Sequence, residues 1–224
     1  MVKILKNSNY QISDIYENCI VNGDIHILRN TNSLSQIINY SKTIIKKHFN
    51  GYENVQNAQE KINLKDYVEI IMKIKNDFTN SIKTDEIIIS MLKKLNLQNG
   101  DIYFDKPKIR IVTYDKYLES GAGYVFRPHR DTWYAGPKSQ LNFWFPIYDV
   151  DLNSTFAIYP NYWDKPIFNS SENFDYEMWK KKFRFTADKH IKTDTRNHPL
   201  PLEDVDKSNE LRVDCNSGDL IVFS

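Results

Sequence analysis

His129 and Asp131 stand two residues apart in the stretch RPHRDTWYAGP, residues 127 to 137. An imidazole nitrogen and a carboxylate oxygen are both good ligands for a borderline divalent metal, so the pair is a candidate half-site for a cation. On an extended backbone the side chains at i and i+2 point to the same face, which would let His129 and Asp131 converge while Arg130 points away. The same spacing also fits a bland arrangement, in which a strand-end histidine is satisfied by a backbone carbonyl and Asp131 caps the turn before Thr132. Residue types and spacing leave both open.

The neighbouring residues extend the candidate site. Gln140 and Asn142 share one face of their strand and Trp144 continues it, whereas Leu141, Phe143 and Phe145 face the other way. That parity gives a wall of two amides and an indole, which either lines a pocket for a co-substrate and substrate or forms a wet outer face. Trp133 and Tyr134 follow the pair directly and can stack on a substrate or cover the mouth of the fold. Arg110, in KIRIVTY, is a candidate partner for a co-substrate carboxylate, or else an exposed strand arginine. A third ligand from another strand would complete the two-histidine, one-carboxylate set that non-haem iron enzymes use, with open positions left for small molecules. His190 and His198 flank a polar excursion and are expected to be solvated loop histidines. His26 sits in an apparent strand, and His48 lies near a helix C-terminus, where the dipole favours a cation. Both are expected to be structural.

The elements that must carry these residues fall into two halves. In the first hundred residues the apolar positions recur near a 3.6-residue period. Ser33 can cap a helix bearing Leu34, Ile37, Ile38, Ile44, Ile45 and Phe49, which Gly51 can end. Asn63 can cap a second, with Leu64, Tyr67, Val68, Ile71, Ile74 and Phe78 on one face, and Thr84 opens a third that closes at Gly100. After Gly100 the runs become short, aromatic and β-branched, separated by turn residues. Strands are expected over 102–104, 108–114, 124–128, 140–148, 155–159 and 220–223, interrupted by a helix in FDYEMWKKKF, residues 174–183. The fold class is therefore α+β: a helical N-terminal layer, residues 1–100, packed on an antiparallel sandwich or barrel, residues 101–224, with an inserted helix and polar loop at about 164–210.

Composition narrows the function classes. With 224 residues and 41% apolar content, a single domain spanning 1–224 is the expectation. Thirty basic and twenty-nine acidic side chains give a net charge of +1, so no bulk field draws a nucleic acid or an anionic membrane. The only cysteines, Cys19 and Cys215, are far apart and have neither the spacing of a zinc site nor the density of a secreted scaffold. No apolar run approaches the roughly 18 residues of a membrane span, and the start lacks an apolar export signal. The expectation is a cytoplasmic protein acting on a small molecule.

The order of elements resembles one family. The segment PHRDTW is followed by the strand QLNFWFPIYD, then STFAIYPNYW, then SGDLIVFS. This order is similar to that of the phytanoyl-CoA hydroxylase-like branch of the iron(II)/2-oxoglutarate-dependent oxygenases, over roughly residues 101 to 224. The resemblance implies a double-stranded β-helix, a cupin-like jelly roll, with Fe(II) in its mouth and 2-oxoglutarate bound to the metal. It implies that His129 and Asp131 are two of three iron ligands. The activity implied is hydroxylation of a small-molecule substrate, coupled to decarboxylation of 2-oxoglutarate to succinate. One departure stands out: the family's second histidine and its 2-oxoglutarate-binding arginine follow the glycine-aspartate strand, and the sequence through Ser224 contains no counterpart of either. A shortened form, or a second polypeptide supplying the missing groups, would account for this. The alternatives are a non-catalytic jelly-roll binding module and a metal-dependent cupin enzyme that does not use 2-oxoglutarate.

Overall fold

The structure is a computed structural model and describes residues 2–7, 12–29, 31–97, 102–115, 118, 127–183, 186–191 and 193–224. Three helices form where the 3.6-residue period places them: α2 (Ser35–His48), α3 (Leu64–Thr79) and α4 (Ile82–Lys94). Asn63 caps α3, its side chain accepting from the Asp66 backbone N–H at 3.1 Å. Ile37, Ile38, Ile44 and Ile45 of α2 and Val68, Ile71, Ile74 and Phe78 of α3 are all buried, so each apolar stripe faces the shared core. Helix α2 packs on both α3 and α4. The third helix starts earlier than expected, at Ile82 with Ser81 as its N-cap residue, and Thr84 is a buried interior position; Gly100 lies outside the described residues.

The first thirty residues are less helical than expected. A short helix, α1 (Ile12–Glu17), is flanked by β1 (Ile4–Asn7) and β2 (Ile25–Leu28), and both strands enter the main sheet. That sheet has the order β1-β2-β6-β3, with β6 at Leu220–Phe223 and β3 at Asn142–Trp144. The β1–β2 pair is parallel and the other two pairs are antiparallel, so the sheet is mixed where an all-antiparallel one was expected. A second, two-stranded antiparallel sheet joins β4 (Ala157–Ile158) and β5 (Leu211–Arg212). The inserted helix is α5 (Tyr176–Lys182), capped by Asp175, whose side chain accepts from the Met178 N–H at 2.8 Å.

Strand alternation divides the core in two. Val222 lies opposite His26 and Phe143, and Leu220 opposite Leu28, on the face covered by the helices. Ile221 lies opposite Ile27 and Trp144, and this other face packs with Ile25, Val213, Cys215 and Phe156. Cys19 and Cys215 are buried free thiols, and burial, with the Asp24 charge adding to it, pushes the Cys19 thiol up to about 12.

Several expected strands are shorter or do not form. The 140–148 run contracts to β3 because Pro146 brings no N–H to a ladder, and the 155–159 run contracts to β4. Residues 102–104 and 108–114 pass without a partner strand. The Gln59 side chain takes the place of one, accepting from the Tyr114 N–H at 3.2 Å and donating to the Tyr114 carbonyl at 3.1 Å. Most of the expected strand at 124–128 lies outside the described residues. No helix among the described residues is long and apolar enough to cross a membrane.

Candidate metal centre

Arg130 has an extended backbone, with φ −113° and ψ 143°, and Asp131 then opens a short 3-10 turn through Tyr134. The turn is closed by Trp133 N–H to the Arg130 carbonyl at 3.0 Å and by Gly136 N–H to the Asp131 carbonyl at 3.1 Å. Ala135 takes a left-handed φ of 61°, and Gly136 passes so near that a Cβ there would lie 2.8 Å from the Asp131 carbonyl oxygen. This tight return brings Gln140 and Asn142 back to the start of the loop.

The consequence is a convergent pair. His129 Nε2 and Asp131 Oδ1 lie 3.5 Å apart, while Arg130 is turned away, its guanidinium donating to the carbonyls of Tyr162 and Lys165. Each ligand candidate is oriented through its other end. His129 Nδ1 meets the Arg127 carbonyl at 2.8 Å. A carbonyl only accepts, so Nδ1 carries a proton. Asp131 Oδ2 accepts from Gln140 Nε2 at 3.0 Å and from Asn142 Nδ2 at 2.8 Å, which turns Oδ1 toward His129. The His129 contact holds the Asp131 carboxyl below its ordinary value; burial opposes this, and Asn142 and the Arg110 charge reinforce it. The carboxylate is thus kept ionised, as a metal ligand must be.

These observations fit a bound cation. The 3.5 Å separation is less than the sum of two metal–ligand bonds of about 2.1 Å each, so one ion can touch both atoms. The carbonyl on Nδ1 and the amides on Oδ2 are the outer contacts that orient metal-binding histidines and carboxylates. Among the described residues, no group of three or more His, Cys, Asp or Glu side chains is gathered to hold a metal.

The remaining candidates separate. Gln140 and Asn142 belong to the site as supports of Asp131 and also bond each other, at 2.9 Å. Tyr134 meets His129 edge-on, with ring centroids 5.5 Å apart, whereas Trp133 is buried at 8% exposure. Arg110 lies within electrostatic reach of Asp131 and Tyr134. Trp144 departs from expectation. Its indole is partly buried and packs against Phe156, centroids 5.0 Å apart, beside the apolar cluster of Ile25, Ile27 and Ile221.

The structure also gathers residues that the sequence did not connect to the pair. His198 Nδ1 is 3.4 Å from the Tyr134 hydroxyl, and His198 Nε2 is 3.4 Å from Asp194 Oδ2. Asp194 is held in turn by the Arg196 guanidinium at 2.8 and 2.5 Å. Burial pushes the Asp194 carboxyl up, but the Arg196 hydrogen bonds and charge outweigh it and bring it down to about 2. Phe174 and Trp179 complete this group around Tyr134 and His198. No local pattern links residues 64 positions apart, so sequence periodicity had no means to find it. Comparison with protein-family models, with curated proteins and with solved structures gives no match.

Proposed function

We propose that the protein is an iron(II)/2-oxoglutarate-dependent dioxygenase that hydroxylates a small molecule. The observation that carries this reading is the convergence of His129 Nε2 and Asp131 Oδ1, each oriented from behind by a hydrogen bond to its other heteroatom. The same reading takes the sheets as parts of a jelly roll. It is supported by the glycine-aspartate strand β6 lying antiparallel beside β3, the strand that carries Asn142.

Iron(II) with 2-oxoglutarate would supply dioxygen activation for hydroxylation of a C–H bond, with release of succinate and carbon dioxide. The chain's own residues would do the rest. His129 and Asp131 hold the metal; Gln140 and Asn142 fix the carboxylate so that one oxygen faces the ion. Arg110 offers a cation to a carboxylate of the co-substrate, and Tyr134 flanks the imidazole as one wall of the pocket. A third protein ligand is required, and the register that sets Phe223 opposite Asn142 brings the end of β6 to the flank of the pair.

The test is an anaerobic titration of the purified protein with iron(II) and 2-oxoglutarate, watching for a weak visible charge-transfer band. A saturable band supports the oxygenase. Metal binding without a band transfers support to a cupin enzyme of another class. No metal binding at all leaves a non-catalytic binding module.

A further inference from the structure

The chain contains three asparagine–glycine pairs, Asn22-Gly23, Asn50-Gly51 and Asn99-Gly100, the last outside the described residues. Such a pair carries its own electrophile, the asparagine side-chain Cγ, and its own nucleophile, the main-chain nitrogen of the next residue. Glycine presents that nitrogen with no Cβ in the way and with wide backbone freedom. Reaction then depends on how firmly the fold holds the two groups. The two described pairs are held very differently.

Asn22 ends the helical turn Asn18–Asn22, and Gly23 is buried. The Gly23 N–H donates to the Cys19 carbonyl at 3.0 Å, and the Asp24 N–H after it donates to the Asn18 carbonyl at 3.2 Å. The Trp163 indole lies so close that a Cβ on Gly23 would overlap the ring. The nucleophilic nitrogen is therefore occupied and its surroundings are full. Asn50 lies two residues beyond the end of α2, where no helical ladder fixes its ψ. Asn50 and Gly51 are both exposed, nothing lies within 4 Å of a Cβ placed on Gly51, and the Gly51 N–H makes no hydrogen bond among the described residues. The turn is closed by Tyr52 N–H to the Phe49 carbonyl at 3.0 Å, a bond that spans the pair and engages neither reacting group.

We propose that Asn50 is a site of spontaneous deamidation and isoaspartate formation, and that the fold protects Asn22 from the same reaction. The Gly51 nitrogen attacks Asn50 Cγ. The N–Cγ bond forms, the Cγ–Nδ2 bond breaks, and the Gly51 amide proton leaves with the side-chain nitrogen as ammonia. Water opens the resulting succinimide ring. Addition at Cγ breaks the new bond and gives aspartate; addition at the main-chain carbonyl gives isoaspartate, with the chain now running through Cβ and Cγ. Either product adds one negative charge at the C-terminal end of α2, where the helix dipole disfavours it and the basic side chains of Lys46 and Lys47 offset part of the cost. Isoaspartate also lengthens the main chain between Phe49, which is 4% exposed in the core, and Tyr52, whose ring meets Phe49 edge-on at 6.4 Å. The modification thus falls on the turn that anchors the end of α2.

The test is incubation of the full chain at mildly alkaline pH, folded and in urea, followed by tryptic digestion and mass spectrometry. Peptides 48–61 and 7–29 carry the two asparagines separately, and fragment spectra locate the converted residue. In the folded protein Asn50 is expected to convert at least about tenfold faster than Asn22, because Asn22 must first give up the Gly23 hydrogen bond and displace an indole. In urea the two rates should converge. Electron-transfer fragmentation should find both aspartate and isoaspartate at position 50, as opening of a ring requires. Equal rates in the folded protein, faster conversion at Asn22, a rate gap that persists unchanged in urea, or aspartate without isoaspartate at position 50 overturns the proposal.

Discussion

Asn142 Nδ2 donates to Asp131 Oδ2 at 2.8 Å across eleven positions of sequence, and Gln140 Nε2 donates to the same oxygen at 3.0 Å. One carboxylate oxygen is thereby committed to the strand, and the other is aimed at His129. A supporting contact of this kind acts on metal affinity more than on folding. Asn142→Ala is expected to weaken iron(II) binding by about 10- to 100-fold while the far-ultraviolet circular dichroism stays as in the parent. An anaerobic iron titration checks it, and equal affinity in the two proteins would remove Asn142 from the site.

Asp131→Ala goes further. It deletes a proposed metal ligand whose side chain is 43% exposed, so the fold loses little and the site loses half of the described pair. Iron retention after gel filtration should vanish, with stability changed by less than about 1 kcal/mol, a thermal shift of a few degrees at this chain length. Unchanged iron content would contradict the metal assignment.

The contrast between these residues and the rest of the pocket shows what was legible in the sequence. Asp131, Gln140 and Asn142 lie within one loop and one short strand; residue parity put the two amides on one face but left open whether that face lines a pocket, and their bonds to the Asp131 carboxylate appear only in the structure. Helix α3 was equally local: its cap, Asn63, and its stripe, Tyr67 to Phe78, are set by contacts within a few turns. His198 reaches Tyr134 and Trp179 only through chain folding, which no local period encodes. The strands failed for a related reason. Residues 108–114 have β-branched and aromatic content, but a strand exists only with a partner, and Gln59 occupies the Tyr114 backbone from a different element. Alternation gave Trp144 its face correctly, yet could not tell a core behind that face from a pocket.

His26 makes acid sensitivity a test of the sheet. It is fully buried in β2 opposite Val222, and burial lowers its imidazole from 6.5 despite the opposing Asp24 charge. The unfolded chain therefore takes up a proton at a higher pH than the folded one does. The contribution of this group is intact above pH 6.5 and is lost as pH falls from 6.5 through the depressed folded value. One proton limits the slope to about 1.4 kcal/mol per pH unit. His26→Leu should flatten the urea-midpoint profile between neutral pH and pH 5 relative to the parent. His198, which is shifted the same way, keeps a residual slope in both proteins. Parallel profiles would show that His26 does not titrate differently on folding.

Gly23 provides a test at the opposite end of the fold from sequence pattern, because two separate constraints fall on one residue. Its φ is 70°, a left-handed conformation that costs an alanine about 1 kcal/mol. A Cβ there would also press into the Trp163 indole at three ring atoms, none of which can recede like the end of a flexible chain. Overpacking of that kind costs about 1–3 kcal/mol. The residue closes the turn after α1, with its N–H on the Cys19 carbonyl at 3.0 Å, and leads directly into β2. Gly51 has φ 89° but nothing within 4 Å of a Cβ, so it isolates the backbone cost. Gly23→Ala should therefore lower the thermal midpoint at least twice as far as Gly51→Ala. Adding Trp163→Ala should recover the packing part of the Gly23→Ala loss in a double-mutant cycle, while the backbone part remains. Equal losses at Gly23 and Gly51, with no coupling to Trp163, would mean that the indole does not lie against Gly23 in solution.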